Sequence, residues 1–177
     1  MKPPYTSIAL RYGLIAGLAG IILSTLLYFI NPTFLFSYWI LLLSMLIIIG
    51  IMVMAVSEGK KANRGMISFG DAFVIGLITF MVAAVVGNIF QYILFNFIDP
   101  SLIDLQKQMA INNTIETMKA FGADGETIDK TIEEIEKQDL SMSFKNVILG
   151  ILSAGIFGAI IAAIVAAILK RERKNTY

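Results

Sequence analysis

The chain has no cysteine and no histidine in 177 residues. Without thiols there is no disulfide and no thiolate nucleophile, and without imidazole the commonest general base and zinc ligand is missing. Phosphate-binding loops, dinucleotide-binding glycine fingerprints and nucleophile elbows are absent too. The expectation is a protein with no cofactor, no metal and no catalytic residues, hence not an enzyme. Charge is also scarce, at 15% of residues against about a quarter in soluble domains. The net charge of +1 provides no field for nucleic acid.

Apolar residues make up 57% of the chain and the mean hydropathy is +0.78. They are gathered into long blocks instead of alternating with a strand or helix period, which is the pattern a bilayer selects. Asn31-Pro32-Thr33 breaks the first block, because a proline and the residue before it disfavour helix. Four spans result, at about 11–30, 35–56, 69–98 and 144–169. Each meets the ~20 residues needed to cross a ~30 Å hydrocarbon core, and the third must tilt, kink or protrude. Lys2 and Arg11 precede the first span as in a secretory leader, but no small-x-small cleavage site precedes Asn31, so it is read as a retained anchor.

Lys and Arg fix the orientation. Lys2 and Arg11, then Lys60, Lys61 and Arg64, then Lys170, Arg171, Arg173 and Lys174 all fall on one side. The other side carries an uncharged turn and the insert 99–143, with ten acidic residues against four Lys. Both termini are expected in the cytoplasm and the insert outside. Tyr28, Tyr38, Trp39, Tyr92 and Phe97 sit near the outer span ends, where an aromatic belt belongs.

The insert reads as two amphipathic helices. Asp99 and Pro100 open the first and Gly122 closes it; Asp124 or Thr127 caps the second. Its apolar residues, among them Ile115, Met118, Ile128, Ile132 and Ile135, need something to pack against and are the candidate partner-binding positions. The fold class is therefore an all-α membrane protein, a single membrane domain over 1–177. Its four transmembrane helices carry a two-helix hairpin between the third and fourth.

Small residues recur along the spans: Gly13, Gly17 and Gly20 in the first, Gly76 and Gly87 in the third, and Gly150, Ala154, Gly158, Ala162 and Ala166 at four-residue steps in the fourth. Such rows let membrane helices approach closely. They serve packing within a four-helix bundle, or a homodimer through the fourth span. The second span, mostly Leu, Ile and Met, is expected to face lipid. A short likeness between Tyr28-Phe29-Ile30-Asn31-Pro32 and Asn96-Phe97-Ile98-Asp99-Pro100 suggests two parallel helical pairs.

Asp71, Thr79, Asn88 and Gln91 are the candidates for a polar path along the third helix. The commoner role for Asp71 is a helix cap and dipole partner, and for Asn88 and Gln91 hydrogen bonds between helices. No charged residue sits at mid-span, which argues against a coupled transporter. The insert's carboxylates lack the spacing of a calcium loop and read as a solvated face.

The run Gly65-Met66-Ile67-Ser68-Phe69-Gly70-Asp71-Ala72-Phe73 leads into the third helix, which ends in Phe97-Ile98-Asp99-Pro100 before the charged insert. In that run and element order the chain resembles the four-helix membrane family known as domain of unknown function 4199, typical of one group of Gram-negative bacteria. The resemblance implies the inner membrane, and so a periplasmic hairpin. It brings no established activity, and no site residues carry over. The expected role is a non-enzymatic interaction, scaffold or accessory protein. It would bind a membrane or periplasmic protein, or a second copy, through the hairpin and small-residue faces. The alternative is a small transporter or channel along the third helix.

Overall fold

A computed structural model of the chain describes residues 5 to 171. Lys2, Arg173 and Lys174 lie outside the described residues. Four helices are long and apolar enough to cross a membrane: α1 (Tyr5–Ile30), α2 (Tyr38–Ala62), α3 (Phe69–Ile93) with the turn that continues it, and α6 (Phe144–Leu169). Between the last two stand the shorter α4 (Leu102–Ala120) and α5 (Gly125–Lys137). Helices keep every backbone polar group bonded within the segment, the condition for crossing hydrocarbon.

The third and fourth spans match the expected limits; the first begins earlier, at Tyr5 and not Arg11, and the second differs at both ends. Pro32–Phe36 wind as a 3-10 turn, with Pro32 in its first turn and Asn31 accepting from Thr33 N (3.0 Å), so α2 starts at Tyr38 and not at Leu35. At its other end α2 runs past Val56 to Ala62, because a helix stops where its backbone is turned and not where apolar residues cease. Arg64 and Gly65 provide that turn with φ of 55° and 81°, and Gly65 N returns to Lys60 O (2.9 Å). The long third span ends in a π turn over Leu94–Ile98, closed by Asp99 N to Leu94 O at 2.8 Å.

α3 is central, with α1 parallel to it on one side, α6 antiparallel on the other, and α2 across the basic end. The main core lies toward that end, around Ile8, Met52, Val56, Ile75, Phe80 and Val165. α2 buries Met52, Ala55 and Val56 there, while Leu41, Leu42, Leu43 and Leu46 stay exposed along the rest. The basic end is clasped. Ile67 and Arg171 exchange two backbone hydrogen bonds (3.0 and 2.9 Å), and Lys60 Nζ donates to Leu169 O at 2.9 Å, a cation on the free carbonyls that end α6.

At the acidic end one local structure occurs twice. Asn31 Oδ1 accepts from Thr33 N and Oγ1, and Asp99 Oδ1 accepts from Ser101 N and Oγ, each pair enclosing a proline after a helix that runs from the basic to the acidic end. The first turn leads straight into α2. The second opens the hairpin, and Tyr28 Oη donates to Asp99 Oδ2 (3.1 Å) to tie the two helix ends together.

Candidate functional site

Most of the small residues serve packing inside the bundle. A Cβ on Gly13 would lie 2.6 Å from Val82 Cβ and 2.9 Å from Thr79 O, and one on Gly17 would lie 2.6 Å from Val86 Cγ1. These fix the α1–α3 contact. On the other side of α3, Gly158 accommodates the Phe80 ring, Gly76 would meet Ala162 Cβ at 3.2 Å, and Gly150 would meet Asn88 Oδ1 at 3.5 Å. Ala162 and Ala166 are fully buried and Ala154 half-buried. Gly20 and Gly87 differ, since a Cβ on either would find nothing within 4 Å.

The four candidates for a polar path are not brought together. Asp71 accepts from Ser68 Oγ (2.8 Å) while its own N–H donates to that hydroxyl (3.1 Å), which places it in the α3 cap. Thr79 is fully buried toward α1 and its hydroxyl donates to Ile75 O (2.8 Å), with Ala9 O 3.4 Å away. Asn88 donates to Ala84 O (2.8 Å) and faces α6. Nine residues at about 100° each put Thr79 and Asn88 on opposite faces of α3. Gln91, one turn beyond Asn88, lines a small crevice at the acidic end.

The hairpin is held at its base and free at its tip. Leu102 packs with Leu94 and Phe95 under Tyr28 and Phe36, and Asn113 Nδ2 donates to Phe36 O (3.3 Å), so α4 crosses over the 3-10 turn. Asp124, not Thr127, caps α5, accepting from Thr127 N (2.8 Å). Lys130–Glu126 (2.6 Å) and Lys137–Glu133 (2.7 Å) pair along its wet face. Ile128 is buried and Ile115, Met118, Ile132 and Ile135 are half-buried. Phe121, beside the left-handed Gly122, is 87% exposed at the tip. Among the described residues no three acidic side chains converge as metal ligands would.

Three carboxylates of this insert, Asp99 and Asp139 near its ends and Asp124 between its helices, are held below their ordinary range. For Asp99 the Ser101 hydroxyl is the main cause, helped by Tyr28 and opposed by partial desolvation. For Asp124 it is the Thr127 N–H and then its hydroxyl. For Asp139 it is the Ser141 hydroxyl and N–H, with Asn146 adding to them.

Two clusters were not legible in the sequence. Glu58 on α2 takes an ion pair from Arg11 and a hydrogen bond from Tyr12 Oη (2.7 Å), both on α1. Its only sequence signal is an acid closing one span opposite a cation opening the antiparallel one. Gln106 on α4 has a buried Oε1 with no partner among the described residues, and it faces the crevice lined by Ser24 and Gln91. Most of the run Gly65 to Phe73 is architectural. Gly65 takes the left-handed turn, Ile67 is buried in the clasp, Ser68 and Asp71 form the cap, and Phe69 stacks on Phe73 at 6.2 Å.

An apolar four-helix bundle closed at its basic end and extended at its acidic end by a charged hairpin defines an all-α protein of membrane type. The chain belongs to the family described as "Protein of unknown function (DUF4199)", whose model matches residues 11–171. No curated protein and no solved structure matches the chain.

Proposed function

We propose that the chain is a non-enzymatic protein of the bacterial inner membrane, with both termini cytoplasmic, that presents its periplasmic hairpin to a protein partner as a scaffold or accessory subunit. Arg11, Lys60, Lys61, Arg64 and Arg171 gather at one end of the bundle and the acidic insert at the other, the asymmetry that orients multi-pass proteins. The observation that carries the reading is Phe121. A large aromatic side chain, 87% exposed at the tip of a capped hairpin, has an acidic α5 beside it. It suits an apolar pocket rimmed by basic groups. The small-residue faces contribute less to this reading, because Gly13, Gly17, Gly76 and Gly158 are spent on contacts within the chain. The separation of Thr79 from Asn88 removes the main support for a channel along α3.

A photo-crosslinking residue at Phe121 in native membranes tests it, with Leu152, exposed on α6, as the lipid-facing control. The expected result is a discrete adduct of defined mass from position 121, lost when Glu133 and Glu134 are changed to Lys. Equal, diffuse labelling from both positions would overturn the proposal.

A further inference from the structure

Two crevices stack along the same faces of α1 and α3 in the half of the bundle toward the acidic end. The deeper has a volume of about 390 Å³ and reaches all four long helices, from Leu23 on α1 and Met45 on α2 to Ala84 on α3 and Phe157 on α6. Its one polar side chain among the described residues, Ser44, already donates to Ile40 O (2.8 Å). Gly20 and Gly87 leave it open, with nothing within 4 Å of the place a Cβ on either would occupy. One helical turn further out lies a second crevice of about 160 Å³ lined by Ser24, Gln91 and Gln106. Gly20 and Ser24, like Gly87 and Gln91, are four residues apart, so each helix presents one face to both crevices.

Such a space does not stay empty in a bilayer. Water finds no polar partners in the deeper crevice, and vacancy forfeits the dispersion contacts of its walls. The fluid at that depth is lipid hydrocarbon. Above it, the buried Oε1 of Gln106 has no partner among the described residues, although buried polar atoms are nearly always hydrogen-bonded. No Lys or Arg lines either crevice, and the insert just beyond carries ten acidic residues against four Lys. An anionic head is therefore disfavoured there, and a neutral group that donates a hydrogen bond is favoured.

We propose that the paired crevices form a binding site for one neutral, hydroxyl-bearing lipid of the diacylglycerol class, its acyl chain in the apolar crevice and its hydroxyl donating to Gln106 Oε1. The site is independent of any partner at the hairpin tip. The test uses the purified full-length protein in phosphatidylcholine vesicles containing either a diacylglycerol or a phosphatidylglycerol with the same diazirine-bearing chain. After photolysis, the labelled peptides are mapped. The diacylglycerol is expected to label the segments around Leu23, Met45 and Gly87, about tenfold more than the phosphatidylglycerol does. Gly20→Leu with Gly87→Leu, which fills open space, is expected to abolish that labelling while raising Tm. Gln106→Leu, independent of cavity filling, removes the acceptor for the lipid hydroxyl and is expected to lower the diacylglycerol labelling severalfold. Equal labelling by the two lipids, labelling confined to outward residues such as Leu152 and Ile156, or undiminished labelling in the Leu variants would each overturn the site.

Discussion

At Gly158 a Cβ would run into the ring of Phe80, whereas at Gly87 it would meet nothing within 4 Å. Both are glycines in long apolar helices, and composition cannot tell them apart. Which one admits a neighbour and which one borders a gap depends on what the facing helix presents, here an aromatic ring or open space. Gly158→Leu is therefore expected to destabilise the bundle by about 1–3 kcal/mol through overpacking, and Gly87→Leu to leave it at least as stable. Thermal unfolding of the two variants in the same detergent decides it, and equal losses would contradict the assignment. The polar residues follow the same logic. Asp71 was legible as a cap because Ser68 stands three residues before it, a local relation. Glu58 was not, because its partners Arg11 and Tyr12 are 47 and 46 residues away and meet it only through the antiparallel register of α1 and α2.

Among the elements, the limits of α6 were readable because Ser143 caps its start, accepting from Asn146 N (3.3 Å), and Lys170 ends its apolar run. The start of α2 was not, since the apolar residues Leu35 and Phe36 follow Pro32 into a 3-10 turn without any change in composition. The hairpin's two helices were readable as a pair from Gly122 and Asp124; their seat over the 3-10 turn depends on Asn113 and Phe36, distant in sequence. Its acid sensitivity follows from Asp99, Asp124 and Asp139, each held below the ordinary carboxylate range by hydrogen bonds. A depressed folded pKa means that the unfolded chain binds protons first as pH falls below about 4. The stabilisation is thus full at neutral pH and is lost as pH falls through the folded values. Hydrogen exchange of the insert, corrected for the intrinsic pH dependence of exchange, should show protection falling over the interval below about pH 4. Asp124→Asn should weaken that dependence in α5. Protection that stays constant over the interval would contradict the role given to these caps.

At the scale of the whole molecule, the chain is polarised along the bundle. The basic end is closed by the Ile67–Arg171 clasp and the main core. The acidic end is open, with the hairpin above and the two crevices beneath it. That asymmetry was visible in the sequence as a charge pattern, because Lys and Arg placement obeys a rule that acts on loops one at a time. The open space was not visible, because it depends on which residues of four helices distant in sequence come to face one another. The hairpin can meet an outside partner only if it lies across the bilayer from the basic end. The absence of cysteine from the chain permits a clean measurement. Single-cysteine variants Gly125→Cys and Lys61→Cys are exposed in whole cells to a membrane-impermeant maleimide small enough to cross the outer membrane, and again after the inner membrane is opened. Gly125→Cys is expected to be labelled in intact cells and Lys61→Cys only after opening; labelling of both under the same condition would place the hairpin and the basic end on one side and contradict the orientation.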